Sequence, residues 1–84
     1  MTNENYAVIR EKCPVCGQGR LLLALTNSRP NNLFILCEDC ESEWNSAEDT
    51  AYMEMATRDK HRFLRFATLE DIGGQPCEQF VLNK

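Results

Sequence analysis

The sequence contains no long hydrophobic run and no segment with the composition of a leader. Its longest strongly apolar stretch, residues 21–25, is far too short to cross a bilayer, which takes about 20 residues. Residues 1–5 carry neither basic side chains nor an apolar core, so no signal peptide is expected. Both absences predict a soluble, cytoplasmic protein whose thiols stay reduced.

Histidine and basic residues are also scarce. The one histidine, His61, lies between Lys60 and Arg62, and nothing in the sequence identifies a nucleophile for it to activate. Lys and Arg number 9 against 13 for Asp and Glu, which gives a net charge of −4 and a pI of about 4.9. Four thiolates add −4 and a zinc ion returns +2, so a zinc-bound form carries about −6. That charge disfavours binding to phosphate backbones.

Cysteine, by contrast, is abundant, with five residues in a chain of 84. A single domain of this size, residues 1–84, buries only about 60–65% of its unfolded surface and needs an additional constraint. In a reducing compartment, paired cysteines are interpreted as metal ligands before disulfides. The cysteines therefore predict a metal-stabilised domain.

Four cysteines form two Cys-x2-Cys pairs, Cys13 with Cys16 and Cys37 with Cys40, separated by 20 residues. Zinc prefers four thiolates in a tetrahedron, and each short turn supplies two of them. The intervening length suits one β-hairpin that returns the second pair to the first. We therefore predict one structural Zn²⁺ with a closed coordination shell, no position for a catalytic water and no enzymatic activity.

The residues around these pairs resemble a known family. The segment CPVCGQG followed by CEDC resembles zinc-ribbon domains over residues 9–44, about half of the chain. CPVCG also resembles the turns of rubredoxins, which bind iron and transfer electrons. Rubredoxins carry proline and glycine in the second pair too, whereas Glu41 follows Cys40 here. The resemblance thus implies a zinc ribbon, with strain or a different turn expected at Glu41.

Three strand candidates surround the pairs, at residues 6–10, 20–26 and 33–37, with a polar turn at 28–32 between the last two. The run at 20–26 is continuously apolar, so its pattern alone also permits a buried helical turn. Residues 60–67 are ambiguous, because Phe63 and Phe66 have the spacing of one helix face, whereas Leu64 and Phe66 have the spacing of one strand face.

Residues 45–84 are expected to form a helix and a C-terminal extension. A capping-box-like start at Ser46 and apolar residues at helical spacing predict a main helix over about residues 47–57. Residues 68–71 predict a short capped helix, and residues 76–82 are expected to pack back onto the domain. The predicted fold class is α+β, a small zinc-ribbon antiparallel β-hairpin module with one main helix and a C-terminal packing segment.

Charged residues are segregated after the second cysteine pair. Residues 38–54 contain seven acids and no Lys or Arg, and residues 58–65 contain four basic residues. Each block is expected to be either an ordinary solvated face or a contact surface. For a basic protein partner, the candidate contacts are Glu38, Asp39, Glu41, Glu43, Trp44 and Asp49. For RNA or DNA, they are Arg58, Lys60, Arg62, Phe63 and Arg65.

Two single residues leave alternatives open. Trp44 is expected to pack on the turn that holds the metal ligands. Its alternative is to anchor a partner, since tryptophan is enriched at interface hot spots. Cys77 is expected to be a small buried hydrophobic residue, and a spare ligand or a reactive thiol are its alternatives.

The tail at residues 67–80 resembles small bacterial immunity proteins that neutralise toxins. Together with the acidic block, this resemblance implies an acidic inhibitor or adaptor of a basic protein, with no small-molecule substrate and no membrane contact. The alternative is a nucleic-acid-associated zinc ribbon of the transcription or translation type. A third interpretation is a structural domain of a larger complex.

Overall fold

The chain folds around one antiparallel β-sheet. The computed structural model describes residues 6–26, 33–58, 62–74 and 76–82. Five strands are formed: β1 (Val8–Arg10), β2 (Leu21–Thr26), β3 (Leu33–Cys37), β4 (Glu43–Trp44) and β5 (Phe63–Phe66). β2 pairs with β1, β3 and β5, and β3 also pairs with β4.

The centre of the sheet is the hairpin of β2 and β3. Its register runs from Leu21 opposite Cys37 to Leu25 opposite Leu33. The first four residues of β2 are all buried, which explains the continuous apolar run, because a strand covered on both faces needs no alternation. The strand predicted at 20–26 and the hairpin between the cysteine pairs are confirmed. The predicted turn at 28–32 lies outside the described residues.

β1 and β5 share the second edge of β2, with β1 on its first half and β5 on its second half. Where they meet, three backbone hydrogen bonds of 2.8–3.0 Å form a ring. Ala7 N–H donates to Ala67 O, Ala67 N–H donates to Leu23 O, and Leu23 N–H donates to Ala7 O. The ambiguous segment at 60–67 is therefore a strand where the structure describes it.

Most of the buried apolar side chains that the structure describes form two clusters. The smaller one consists of Ala24, Phe34 and Leu36, with Phe66 packed against it. The larger one includes two of the metal-site cysteines and joins the sheet to the C-terminal segment; its members are Ala7, Ile9, Cys13, Leu21, Leu23, Ile35, Cys37, Trp44, Ala67, Ile72 and Val81. Each large apolar side chain buried in this way stabilises the fold by about 1.5–3 kcal/mol.

The main helix predicted at 47–57 does not form, and the predicted α+β class is wrong. Among the described residues, the helical segments are three short 3-10 turns, Glu48–Ala51, Met53–Met55 and Pro76–Phe80. The fold is mostly antiparallel β-sheet. In this part of the chain no helix has the length and hydrophobicity to span a membrane.

Contacts of Tyr52 and Thr57 with the sheet replace the helix. Tyr52 is extended, with φ −121° and ψ 111°, and its carbonyl accepts a hydrogen bond from Trp44 Nε1 at 3.1 Å. Thr57 exchanges two backbone hydrogen bonds with Glu43, at 2.7 and 2.8 Å. A helix through residue 57 would lose all three bonds, and such tertiary contacts outweigh helix propensity, which is only a weak determinant of local structure.

The C-terminal part keeps the local features that the sequence predicts, but without a regular α-helix. Thr68 and Asp71 form a capping box, in which Thr68 N–H donates to Asp71 Oδ2 at 2.8 Å and Asp71 N–H donates to Thr68 Oγ1 at 3.3 Å. The chain then continues as a turn, so the short helix predicted at 68–71 is wrong. Val81 is buried and Leu82 N–H donates to Val8 O at 2.8 Å, so the tail packs back as predicted.

Candidate metal centre

Four cysteine sulfurs lie within 4.8 Å of one another beside the first residues of β2 and the last residue of β3. Cys13 Sγ lies 3.8 Å from Cys40 Sγ, and Cys16 Sγ lies 3.7 Å from Cys37 Sγ. A tetrahedron with metal–sulfur bonds of about 2.3 Å has edges of about 3.8 Å, so these separations are those of ligands around one ion. The predicted clustering of the four cysteines is confirmed.

The first cysteine turn is closed by its own backbone. Gly17 N–H donates to Cys13 O at 2.8 Å, and Gly17 has φ 72°, which glycine adopts without a steric penalty. Val15 N–H points at Cys13 Sγ at 3.3 Å. The turn therefore holds the sulfur and directs a backbone N–H dipole at it.

The second cysteine turn has the same backbone form. Glu41 N–H donates to Cys37 O at 3.2 Å, and Glu41 has φ 66°, which costs energy for any residue with a Cβ. The N–H groups of Asp39 and Cys40 both lie 3.4 Å from Cys37 Sγ. The strain expected at Glu41 is present. The alternative of a different turn is wrong, because Glu41 accepts the conformation that glycine has in the first turn.

The surroundings move the pKa values of the thiols in opposite directions. Burial raises the pKa of Cys37 to about 12 and also raises the pKa of Cys13. Backbone N–H groups of Gly19 and Gln18 lower the pKa of Cys16 to about 6. Buried sulfurs stay ionised only if a cation compensates their charge, so this arrangement suits a bound metal.

Ser42 supports the fourth sulfur and is a residue that the sequence analysis did not select. Its hydroxyl lies 3.2 Å from Cys40 Sγ, and its side chain is buried. Burial by itself raises the pKa of Cys40, but hydrogen bonds from the Ser42 side chain and backbone lower it overall. Arg58 donates to Ser42 Oγ at 3.5 Å. A hydroxyl residue two positions after the last ligand is the sequence signal that would have identified it.

Most of the acidic contact residues predicted for a basic protein lie close to the metal centre. Asp39 and Glu41 are exposed, and Asp49 is half-buried. Glu38 is bound to Arg20 by hydrogen bonds of 2.7 and 3.0 Å from the guanidinium, which lower the pKa of its carboxyl. This pair links the two cysteine turns.

Two predicted contact residues are in the interior. Trp44 is fully buried in the same cluster as Cys13 and Cys37, which agrees with the expectation that it packs on the metal turn. Glu43, its neighbour in β4, is 6% exposed. Neither side chain adds to the exposed surface.

The basic residues predicted for nucleic acid are divided among separate partners. Arg65 forms an ion pair with Asp71 at 2.7 Å, and Arg58 hydrogen-bonds to the Ser42 hydroxyl. Arg62 and Phe63 are exposed. The structure describes neither Lys60 nor the side chain of Cys77.

Comparisons with known proteins were made at three levels. No family model, no curated protein and no solved structure matches this chain. The metal centre and the surface around it therefore carry the functional interpretation.

Proposed function

We propose that the four cysteines bind one Zn²⁺ and that this ion is structural. The observation that supports this most is the cluster of four sulfurs within 4.8 Å of one another, in which two of the separations equal the edge of a zinc–thiolate tetrahedron. Four thiolates suit zinc in both ligand type and number. Iron also accepts four thiolates, and native mass spectrometry distinguishes the two metals by their mass.

The proposed site is not catalytic. Catalytic zinc keeps one coordination position for water or substrate, whereas four cysteine ligands close the shell. The ion would instead hold together a core that is small for its surface.

The protein is proposed to act by binding a basic protein, as an acidic inhibitor or adaptor in the manner of an immunity protein or antitoxin. Exposed acids surround the metal centre and continue along the segment after β4; they are Asp39, Glu41, Glu48 and Glu54. Two of the basic residues that a nucleic-acid ribbon would use, Arg58 and Arg65, are instead engaged within the protein. That distribution of charge favours a basic protein as the partner over the phosphate backbone of a nucleic acid.

Charge reversal tests this function. In the test variant Glu41, Glu48 and Glu54 are changed to Lys, and in the control variant Glu11, Glu70 and Glu78 are changed to Lys. Each zinc-loaded protein is used as bait for affinity capture from a nuclease-treated sample and from a parallel untreated sample. We expect a protein captured by the wild type and the control but not by the test variant, with slower association as the cause. Capture that is lost on nuclease treatment, or is equal for all three proteins, would contradict the proposal.

A further inference from the structure

Three large apolar side chains are exposed within one short segment after β4. Tyr52 is 55% exposed, Met53 is 54% exposed and Met55 is 47% exposed. Single exposed apolar residues are normal on a protein surface. Three within four residues, on a chain this small, are the kind of cluster that marks an interaction site.

The backbone beneath these side chains is held at both ends. Trp44 Nε1 donates to Tyr52 O at 3.1 Å, and the Thr57 bridge to β4 fixes the end of the segment. At its start, Thr50 is buried; its hydroxyl donates to Ala47 O at 2.6 Å and accepts from Arg10 Nε at 2.9 Å. A segment that is already ordered loses little conformational entropy when a partner binds.

One backbone turn brings two of these residues together. Met55 N–H donates to Tyr52 O at 3.1 Å, and the Cα atoms of the first and last residues of such a turn lie within about 7 Å of each other. Tyrosine contributes strongly to binding hot spots, and methionine adapts its shape to an apolar partner. Tyr52 and Met55 are therefore suited to be the central contacts.

Two acidic residues precede this apolar cluster and a third lies within it. Glu48 and Glu54 are exposed and Asp49 is half-buried. In the described part of the chain none of the three forms an ion pair. No Lys or Arg occurs between residues 38 and 57. Arg10, which donates to Thr50, brings one positive charge to the start of this segment, against its three acidic residues. A partner with positive charge at its rim therefore complements the surface.

We propose that the surface formed by residues 48–55, named here the 48–55 surface, docks a cationic segment of another protein in which apolar side chains alternate with Lys or Arg. The proposal rests on the proposed function and refines it. The apolar residues proposed to contact the partner are Tyr52, Met53 and Met55, and not Trp44, which is buried.

The probe is a synthetic 12-residue peptide of alternating Lys and Leu, titrated into ¹⁵N-labelled, zinc-loaded protein and followed by amide chemical shifts. Changing Tyr52 and Met55 to Ala should weaken binding by about tenfold. The matched control changes Leu64 and Leu82 to Ala, which are 53% and 58% exposed at other places in the fold, and should change affinity less than about twofold. A peptide with Ser in place of Leu should bind about tenfold more weakly than the Lys-Leu peptide.

Amide shifts concentrated at residues 48–55, together with the difference between the two variants, would support the proposal. Equal effects of both variants, shifts concentrated near Glu41, or no binding at millimolar peptide would overturn it. None of these results would remove the proposed function, which the charge reversals test separately. A parallel titration uses single-stranded RNA. If RNA shifted the amide signals of Arg62 and Phe63 more strongly than the peptide shifts those of the 48–55 surface, that result would also overturn the proposal.

Discussion

Gly19 lies where the two cysteine turns touch. A Cβ at this position would be 2.6 Å from Asp39 Cβ and 2.9 Å from Cys37 Sγ. Both neighbours are held by the second turn, so the turns would have to separate and the four sulfurs would lose their spacing. The sequence analysis did not select Gly19, because the close approach of the turns is visible only in three dimensions.

We therefore predict that Gly19→Ala weakens metal binding by at least about tenfold and lowers the free energy of unfolding by about 2 kcal/mol. Competition with a zinc indicator measures the first quantity. Gly73→Ala is the control, because a Cβ there meets its nearest neighbour at an ordinary 3.7 Å. If both variants bound zinc like the wild type, the close contact between the turns would not matter.

Glu41 carries the strain that glycine avoids in the first turn. Its φ of 66° costs a residue with a side chain about 1–2 kcal/mol. Replacement by glycine removes this strain, but part of the gain is offset because glycine is more flexible in the unfolded chain. Glu41→Gly should therefore raise the free energy of unfolding by about 0.5 kcal/mol. Denaturant titration at a fixed free zinc concentration measures it.

The reciprocal change provides the control for Glu41. Gly17→Ala places a Cβ on the equivalent residue of the first turn, at φ 72°, and should lower stability by about 1 kcal/mol. A loss of stability in Glu41→Gly as large as in Gly17→Ala would mean that the side chain of Glu41 is needed in the folded protein.

At the scale of elements, short-range patterns predicted the strands and the capped turn that begins at Thr68, but not the conformation of residues 47–57. The capping box predicted at Ser46 is wrong, because no side chain caps the 3-10 turn that begins at Glu48. The apolar run at 20–26 and the hairpin came from composition and spacing. The helix at 47–57 failed because Trp44 and Glu43, on β4, bind Tyr52 and Thr57. A pattern within the segment contains no information about those partners, so the correct fold class was beyond sequence reasoning.

The turn after β5 gives an element-scale prediction. The guanidinium of Arg65 and the backbone N–H of Thr68 hold the pKa of Asp71 well below its usual range. Asp71→Asn should lower the free energy of unfolding by about 1 kcal/mol at neutral pH, discounted because the Arg65 side chain is 54% exposed. Glu70→Gln, at a neighbouring residue, should cost less than about 0.5 kcal/mol.

The pH dependence of the Asp71 effect has a defined sign. A carboxyl with a depressed folded-state pKa contributes fully above its unfolded pKa of about 3.9, and the contribution is lost as the pH falls toward the folded value. The difference between Asp71→Asn and the wild type should therefore be constant between pH values of about 6 and 8. A difference that varied across this range, measured by denaturant titration, would show that another titrating group is responsible.

For the whole molecule, the cysteine cluster reinforces a junction of two turns that the Arg20–Glu38 pair and the β2–β3 hairpin also hold together. It joins the β1–β2 turn to the β3–β4 turn, and Cys13 and Cys37 belong to the main core cluster beside Trp44. The sequence predicted the clustering of the four cysteines correctly because Cys-x2-Cys spacing depends only on local turns and one hairpin. It did not predict the proposed 48–55 surface, because the exposure of Tyr52 and the burial of Glu43 depend on the whole fold.

The central claim is that one zinc ion holds this fold through Cys13, Cys16, Cys37 and Cys40. Thermal unfolding, followed with metal content by native mass spectrometry before and after chelation, tests it most directly. We expect one zinc per chain, and full zinc content in Cys77→Ala. The cooperative transition should be lost on chelation or in Cys37→Ser, since a structural site contributes about 10–16 kcal/mol in zinc-finger peptides. A chelated protein whose thermal transition is unchanged would contradict the claim.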